Sequence, residues 1–270
     1  MEEKNYSIPE GFTWSFTSLV AYEQCPKSFM LKKLRKVGEE AENFYSQYGS
    51  WGHAILESYY KGLIPHIALA EVYEKGFDDA VTLRPPYPKG VVEKSRAAGL
   101  RYFQNFKELE PEWEVLDVEK KFEIQIGGYP VVGIVDLVLR HKDTGDIVVV
   151  DHKSKSKASM TKEYETYKKQ LYIYAKYIKE TYGKFPSVMR FNMFKEGYEI
   201  DEPFNQEDYD KTMSWVIHVI EQTILDDEWE ARPDDFFCFV LCGVKDYCWD
   251  KDLYKGKVLA EKEAKLLEGE

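Results

Sequence analysis

The chain has 270 residues, of which 44% are hydrophobic and 31% charged, with a formal net charge of -11. That is enough apolar mass for one large domain or a domain with a small subdomain, and the acidic balance argues against a protein that coats nucleic acid indiscriminately, because phosphate binding rests on Lys and Arg. No apolar run approaches the ~18 residues of a membrane helix, and the N-terminus MEEKNYSIPEGF lacks the basic and apolar regions of a signal peptide, so a cytoplasmic location is expected.

In chain order, Thr13 to Ser18 offers several N-cap residues for a helical segment reaching about Leu34, within which Pro26 can start a second helix directly after Cys25. Helical spacing resumes from about Gln47 to Lys61 and places His53 and Glu57 one turn apart on one face. Two further helical segments are predicted at about 66–82 and 89–109, separated by the loop Leu83-Arg-Pro-Pro-Tyr-Pro88. From about Glu114 the pattern changes. Val115–Ile126 and Tyr129–Arg140 are rich in β-branched residues and meet at Gly127-Gly128, a two-residue hairpin signal; a third strand, Ile147–Lys153, follows the polar turn 141–146. Residues 161–182 return to helical spacing, Ser187–Lys195 reads as a strand, and 205–229 as another helix. The order predicts an α/β (α+β) protein with a mixed sheet and helices packed against it. No linker divides residues 1–250, within which a helical part (13–110), a sheet core (114–200) and a C-terminal helix with its cysteines (205–250) follow one another; 251–270 reads as a charged tail.

Chemistry concentrates in the second and third strands. Asp136 interrupts the apolar run Gly133-Ile-Val-Asp-Leu-Val-Leu139, and a buried charge needs a compensating partner. In Val148-Val-Val-Asp-His-Lys153 the period of two puts Asp151 and Lys153 on one face and His152 on the other. A hairpin-type connection can set the two aspartates side by side. Two converging carboxylates would hold Mg²⁺ or Mn²⁺, and a lysine two residues on can orient water and stabilise charge on phosphate. The alternative is a buried salt bridge of the two aspartates with Lys153. Two basic strips, five cations from Lys27 to Lys36 and six lysines from Lys153 to Lys169, stand out on the acidic body. Each is either a phosphate-binding track or an ordinary solvated face.

Cys25 stands alone near the start, whereas Cys238, Cys242 and Cys248 crowd together near the end. Four thiolates can saturate a tetrahedral metal or one cubane cluster, and such a site would join the two ends of the chain; unliganded core cysteines are the alternative. Asp234-Asp235 and the aromatics Phe236, Phe237, Phe239, Tyr247 and Trp249 are expected to pack around it.

The pattern G-x-V-D-L-V, a turn, then I-V-V-V-D-H-K-S resembles the core motif of PD-(D/E)XK nucleases, in particular their RecB-like branch. Ser15-Phe-Thr-Ser-Leu19 with Tyr22 and Cys25-Pro26 resembles that branch's opening motif. Gly49 to Glu57 resembles its histidine helix and Gln170-Leu-Tyr-Ile-Tyr174 its Q-x-x-x-Y motif, all in the expected order over residues 12–250. The resemblance implies a restriction-endonuclease-like core in which His53, Asp136, Asp151 and the main-chain carbonyl of His152 bind Mg²⁺ or Mn²⁺ and Lys153 is the catalytic lysine. Gln170 and Tyr174, four apart on one helix face, would point toward the site and the DNA backbone, although Tyr174 could simply pack. His53 could likewise be a core or helix-surface histidine. Glu119 resembles an acidic position often found before the aspartate strand, a possible accessory acid.

The one-plus-three order of cysteines resembles the iron-sulfur nucleases: the AddB subunit of a helicase-nuclease, the CRISPR adaptation nuclease, and phage-encoded RecB-like exonucleases. It implies a four-iron four-sulfur cluster on Cys25, Cys238, Cys242 and Cys248, with zinc as the alternative. The three residues between Cys238 and Cys242, where the helicase and CRISPR relatives usually have two, favour the phage-type group. The activity implied is a metal-dependent DNA exonuclease acting on single-stranded or resected ends in recombination, repair or phage DNA metabolism. Two rivals stand beside it: a non-cutting DNA-end-binding or assembly subunit, and a nuclease of CRISPR spacer adaptation. The sequence holds no G-x-x-x-x-G-K-[ST], so unwinding would need a helicase partner.

Overall fold

The computed structural model describes residues 6–37, 42–85, 89–234, 237–238 and 242–248. The tail 251–270, expected to be charged and frayed, lies outside them. Two compact units emerge, one made of Met1–Ala41 with Trp215–Glu270 and the other of Glu42–Ser214. Among the described residues no helix is long and apolar enough to cross a membrane.

The larger unit carries a five-stranded sheet in the order β1-β2-β3-β4-β5, with strands Trp113–Ile126, Tyr129–His141, Ile147–His152, Val188–Met193 and Tyr198–Pro203. The first three form an antiparallel meander. Gly127 and Gly128, at φ 61° and 86°, make the β1–β2 turn, where both positions need the left-handed backbone that glycine adopts without penalty. β3 then pairs in parallel with β4 after the helix α6 (Lys157–Tyr182), and β5 returns antiparallel at the edge. Every residue of β3 is buried, as expected for a central strand covered on both faces.

Helices α3 (Phe44–Tyr60), α4 (Leu69–Ala80) and α5 (Val91–Gln104) precede the sheet. Asn43 caps α3 in a reciprocal box with Ser46, and Ser156 caps α6, so both helices begin where a side chain takes the orphan amides. The apolar faces of α3, α4 and α5 meet in a core containing Tyr48, Leu56, Tyr73, Phe77, Phe103 and Phe194. α3 comes close to the sheet at two glycines. A Cβ on Gly52 would lie 2.4 Å from the Phe194 ring, and one on Gly49 would lie 3.0 Å from Ser154 Oγ.

The smaller unit holds α1 (Phe16–Gln24), capped by Ser15, and α2 (Pro26–Phe29), opened by Pro26 at its first position. α2 continues as one π-helical turn over Met30–Leu34. The helix α7 (Gln206–Leu225) spans the division between the units. In the smaller unit Phe29 stacks on Trp229 with ring centres 6.0 Å apart, and the Tyr22 hydroxyl donates to Asp226 Oδ2 at 2.9 Å.

The structure differs from the sequence expectations at several element ends and in one strand. α5 ends at Gln104 rather than 109, α6 starts at Lys157 rather than 161, α7 ends at Leu225 rather than 229, and β5 is additional. Tyr-Glu-Ile-Asp-Glu-Pro alternates, but with acidic residues on its outer side and a terminal proline, it is the composition of an edge strand and lacks the β-branched run that marked its neighbours.

Replacing Gly52 by Ala is expected to lower stability. The helix gains about 1 kcal/mol of propensity, but the new methyl must displace a fully buried ring, at about 1–3 kcal/mol. A melting temperature lowered by a few degrees is the predicted result of thermal denaturation, and an unchanged or raised one would contradict the close approach.

Candidate active site

The site lies in the larger unit, where the β2–β3 ladder ends. Leu137 pairs with Val150, so the next step in register sets Asp136 opposite Asp151. There the carboxylate of Asp136 takes over from the backbone, its Oδ2 accepting the N–H of His152 at 2.7 Å. Both acids are buried, Asp151 1% and Asp136 7% exposed. Burial, together with the charge of Asp151, raises the Asp136 carboxyl to about 7 against the opposing pull of His53 and Lys153.

Cationic groups converge on this pair from two elements. Lys153, two residues beyond Asp151 on the same side of β3, brings its Nζ to 2.7 Å from Asp151 Oδ2 and donates to Gln170 Oε1 at 3.0 Å. The approach to Asp151 is an ion-pair contact outside hydrogen-bonding angles, and Asp151 Oδ2 stays buried without a hydrogen bond. Gln170 in turn donates to the Tyr174 hydroxyl at 2.6 Å, one turn along α6, and Tyr174 is itself buried edge-on against Phe122. The Tyr167 ring lies 4.6 Å from the Lys153 ammonium.

From α3, His53 directs Nδ1 toward Glu119 Oε1 at 3.3 Å and Asp136 Oδ2 at 3.7 Å, while Nε2 lies 2.9 Å from the carbonyl of His152. Burial works against its charge, but the hydrogen bond to Glu119 and the charges of Asp136, Glu119 and Asp151 prevail and raise it to about 9. His152 points the other way, as strand periodicity requires. It is fully buried, its ring parallel to Tyr60 and its Nδ1 3.0 Å from Asn192 Nδ2. Burial, with the neighbouring cations His53 and Lys153, drives it well below the usual histidine range, so it is neutral.

Glu119 reaches His53 by a break in the strand. Its φ of 48° is a left-handed conformation that costs a non-glycine residue on the order of 1 kcal/mol. The inversion is visible in its neighbours. Asp117 accepts from Tyr177 at 2.8 Å and Phe122 stacks on the same Tyr177 ring at 4.7 Å, although residues five apart in a regular strand face opposite ways.

The structure therefore gathers His53, Glu119, Asp136, Asp151, Lys153, Gln170, Tyr174 and the His152 carbonyl into one site. Ligand atoms of His53, Glu119 and Asp136 all lie within 4.8 Å of one another. Their chemistry suits a hard divalent cation with one imidazole ligand, and the Asp151 carboxylate, ion-paired with Lys153, stands opposite Asp136 as a further oxygen donor. Sequence reasoning missed Asn192, which fixes the His152 ring and whose carbonyl accepts the Lys153 N–H at 2.8 Å. A polar residue within the buried run Phe191-Asn192-Met193 was the available signal, of the same kind that marked Asp136.

The four cysteines lie in the smaller unit, all buried and all free thiols. Cys25 ends α1 and caps α2, its Sγ accepting from Ser28 N at 3.4 Å and Arg232 N at 3.5 Å. Cys238 Sγ accepts from Asp234 N at 3.5 Å, Cys242 Sγ is 3.5 Å from Ser28 Oγ, and Cys248 closes the short helix α8 (Lys245–Cys248). Burial raises the Cys238 thiol, with the neighbouring sulfurs of Cys242 and Cys25 adding to the effect. Such N–H contacts and burial suit thiolates held by a metal or cluster. Tyr247, expected to pack here, is instead 54% exposed, because it occupies the outer side of the short helix that ends in Cys248. Asp235, Phe236, Phe239 and Trp249 lie outside the described residues.

No curated protein sequence matches the chain. One solved structure, described as the crystal structure of SSO0001, is similar at 19% identity over 90% of this chain and 88% of that one, with a TM-score of 0.38. The family model of the PD-(D/E)XK nuclease superfamily matches residues 13–249, which include both carboxylates, the lysine and the strands that carry them. With that match over nearly the whole chain, and a mixed sheet that sets Asp136, Asp151 and Lys153 together, the chain belongs to the PD-(D/E)XK nuclease superfamily.

Proposed function

We propose that the chain is a divalent-metal-dependent deoxyribonuclease that hydrolyses DNA from its ends, with His53, Asp136, Asp151 and the His152 carbonyl holding the ion. The observation that carries this proposal is the opposition of two buried carboxylates beside an imidazole that meets one of them and a lysine that pairs with the other. A bound Mg²⁺ or Mn²⁺ would supply a low-pKa water and neutralise charge on the phosphoryl oxygens. Lys153, fixed between Asp151 and Gln170, presents its ammonium to the attacking water and the non-bridging oxygens. Tyr174 holds Gln170 and so acts by positioning, while Asp136, besides its place in the ligand set, accepts the His152 amide and fixes that stretch of the backbone. Glu119 stands 3.3 Å from His53 as an accessory acid that orients the ring or joins the ligand set.

Action at free, single-stranded or resected ends, alongside a helicase in recombination, repair or phage DNA metabolism in the cytoplasm, is supported by the RecB-like order of Ser15 to Pro26, Gly49 to Glu57 and Gln170 to Tyr174. The same branch supports a four-iron four-sulfur cluster on Cys25, Cys238, Cys242 and Cys248, which would staple the two ends of the chain within the smaller unit.

On end-labelled DNA with Mn²⁺, Asp136→Asn and Lys153→Ala should each lower cleavage by about 10²–10³-fold or more while retaining a cooperative melt, and EDTA should abolish it. Cleavage unchanged in both variants would refute the site.

Metal binding should also depend on pH with a definite sign. Below about 7 both Asp136 and His53 carry protons that an ion must displace, between about 7 and 9 only His53 does, and above about 9 neither. Calorimetry of Mn²⁺ binding in buffers of different ionisation enthalpy should therefore show proton release falling toward zero as pH rises, and affinity rising with it. An affinity flat from pH 6 to 9, about these two midpoints, would contradict the assignment.

Anaerobically prepared protein should be brown and lose its colour and thermal stability together in Cys242→Ala. A colourless preparation with one zinc per chain would replace the cluster by a tetrahedral metal.

A further inference from the structure

Beyond the carboxylate site, the larger unit has a cavity of about 590 Å³ between the end of α5 and the β4–β5 turn. Its cations are Arg101, Lys107 and Lys195, which have no ion-pair partner among the described residues. On a chain of net charge -11 that convergence is notable, since of the two acids in the lining Glu199 is already paired with Arg190 at 2.8 Å. Its aromatic residues are Tyr102, Phe106 and Tyr198, each only partly buried. A second cavity of about 370 Å³ shares Tyr102, Phe106 and Lys107 and runs toward Trp113, but Glu108 and Glu110 line it, so the basic track is confined to the first cavity.

The groove lies at the same end of the sheet as the carboxylates. β3 and β4 run parallel, with His152 beside Asn192, so Lys153 and the β4–β5 turn both leave the sheet at the C-terminal end of these strands. Asn192 lines the groove and meets, from the far face of β3, the strand that carries the site: its side chain lies 3.0 Å from His152 Nδ1 and its main-chain carbonyl accepts the Lys153 amide at 2.8 Å. A basic and aromatic series connects them: Lys155 lies 4.9 Å from the Tyr167 ring that Lys153 also meets, and Lys157 lies 5.8 Å from the ring of Tyr198.

We propose that this groove is a binding track for single-stranded DNA, in which Arg101, Lys107 and Lys195 contact phosphates and Tyr102, Phe106 and Tyr198 offer faces to unpaired bases. This rests on the nuclease reading above and specifies its substrate. Unpaired bases can use the aromatic faces, whereas a duplex keeps its bases stacked inside and can use only the charges. A cavity in the ~300–1,000 Å³ range accepts nucleotide-sized groups rather than a helix.

The test uses the full chain in EDTA, where no cleavage occurs, with fluorescence anisotropy of a labelled oligothymidylate across a salt series. The triple variant Arg101→Ala, Lys107→Ala, Lys195→Ala should bind about 30-fold or more weakly, with the slope of log affinity against log salt reduced by about 2. Tyr198→Ala should weaken binding about tenfold, and a duplex of equal length should change less than the single strand in that variant. Hydrolysis of the small diester bis(4-nitrophenyl) phosphate with Mn²⁺, too short to occupy the groove, should stay within about twofold in every groove variant and be lost in Asp136→Asn. Oligothymidylate affinity and salt slope unchanged in the triple variant, with wild type still hydrolysing the small diester, would overturn the groove and leave the nuclease assignment standing. A wild type that neither hydrolyses the diester nor cleaves DNA would sink the nuclease assignment and the groove with it.

Discussion

Asp136 and Asp151 face each other at the end of the β2–β3 ladder, in a position from which water is largely excluded. Burial disfavours the charged form and the charge of Asp151 across the ladder adds to it, which is why the Asp136 carboxyl rises to about 7. The rest of the site compensates that charge. Lys153 takes one side of Asp151, His53 approaches Asp136 from α3, and the His152 amide donates into Asp136. Asp151 Oδ2 meets Lys153 in an ion pair at 2.7 Å but has no hydrogen bond. A buried salt bridge of the aspartates with Lys153 would have no need of the imidazole that meets Asp136 and Glu119.

The scaffold bends toward this requirement in ways that cost local stability. Gly49 and Gly52 let α3 press against Ser154 and Phe194, which brings His53 within 2.9 Å of the His152 carbonyl. Glu119 adopts a left-handed backbone in the middle of β1 and so crosses to the histidine side of the sheet. Strain of this kind persists when surrounding structure holds it, here the long β1–β2 ladder on both sides of Glu119. On the far side of β3, Asn192 and Tyr60 lock the neutral His152 ring, so that its carbonyl is held by packing as well as by the strand.

Much of this is legible in the sequence, and for specific reasons. Asp136 and Asp151 each interrupt an apolar strand, and the period of two assigns Lys153 to the face of Asp151. The Gly127-Gly128 turn announces the hairpin that makes β1 and β2 neighbours, and the N-cap candidates of Thr13 to Ser18 with the helix-starting Pro26 mark the helix pair around Cys25. What escapes is whatever depends on the third dimension. β5 is written in acidic residues because it is an edge, so no buried run betrays it. Asn192 comes beside His152 only through the parallel pairing of β3 with β4, forty positions apart in the chain. The inversion at Glu119 has no sequence mark, since any residue other than glycine or asparagine is an unlikely bearer of φ 48°.

The account stands on a divalent ion bound directly by the imidazole that α3 brings to the carboxylate pair. Pulsed electron paramagnetic resonance of Mn²⁺ bound to the full chain reads this without reference to activity, because a coordinated ring nitrogen imprints its coupling on the metal signal. The coupling should be present in the wild-type protein and absent in His53→Gln with Mn²⁺ still bound through the acids. A wild-type signal without coordinated nitrogen, or a coupling that survives the loss of His53, would contradict it.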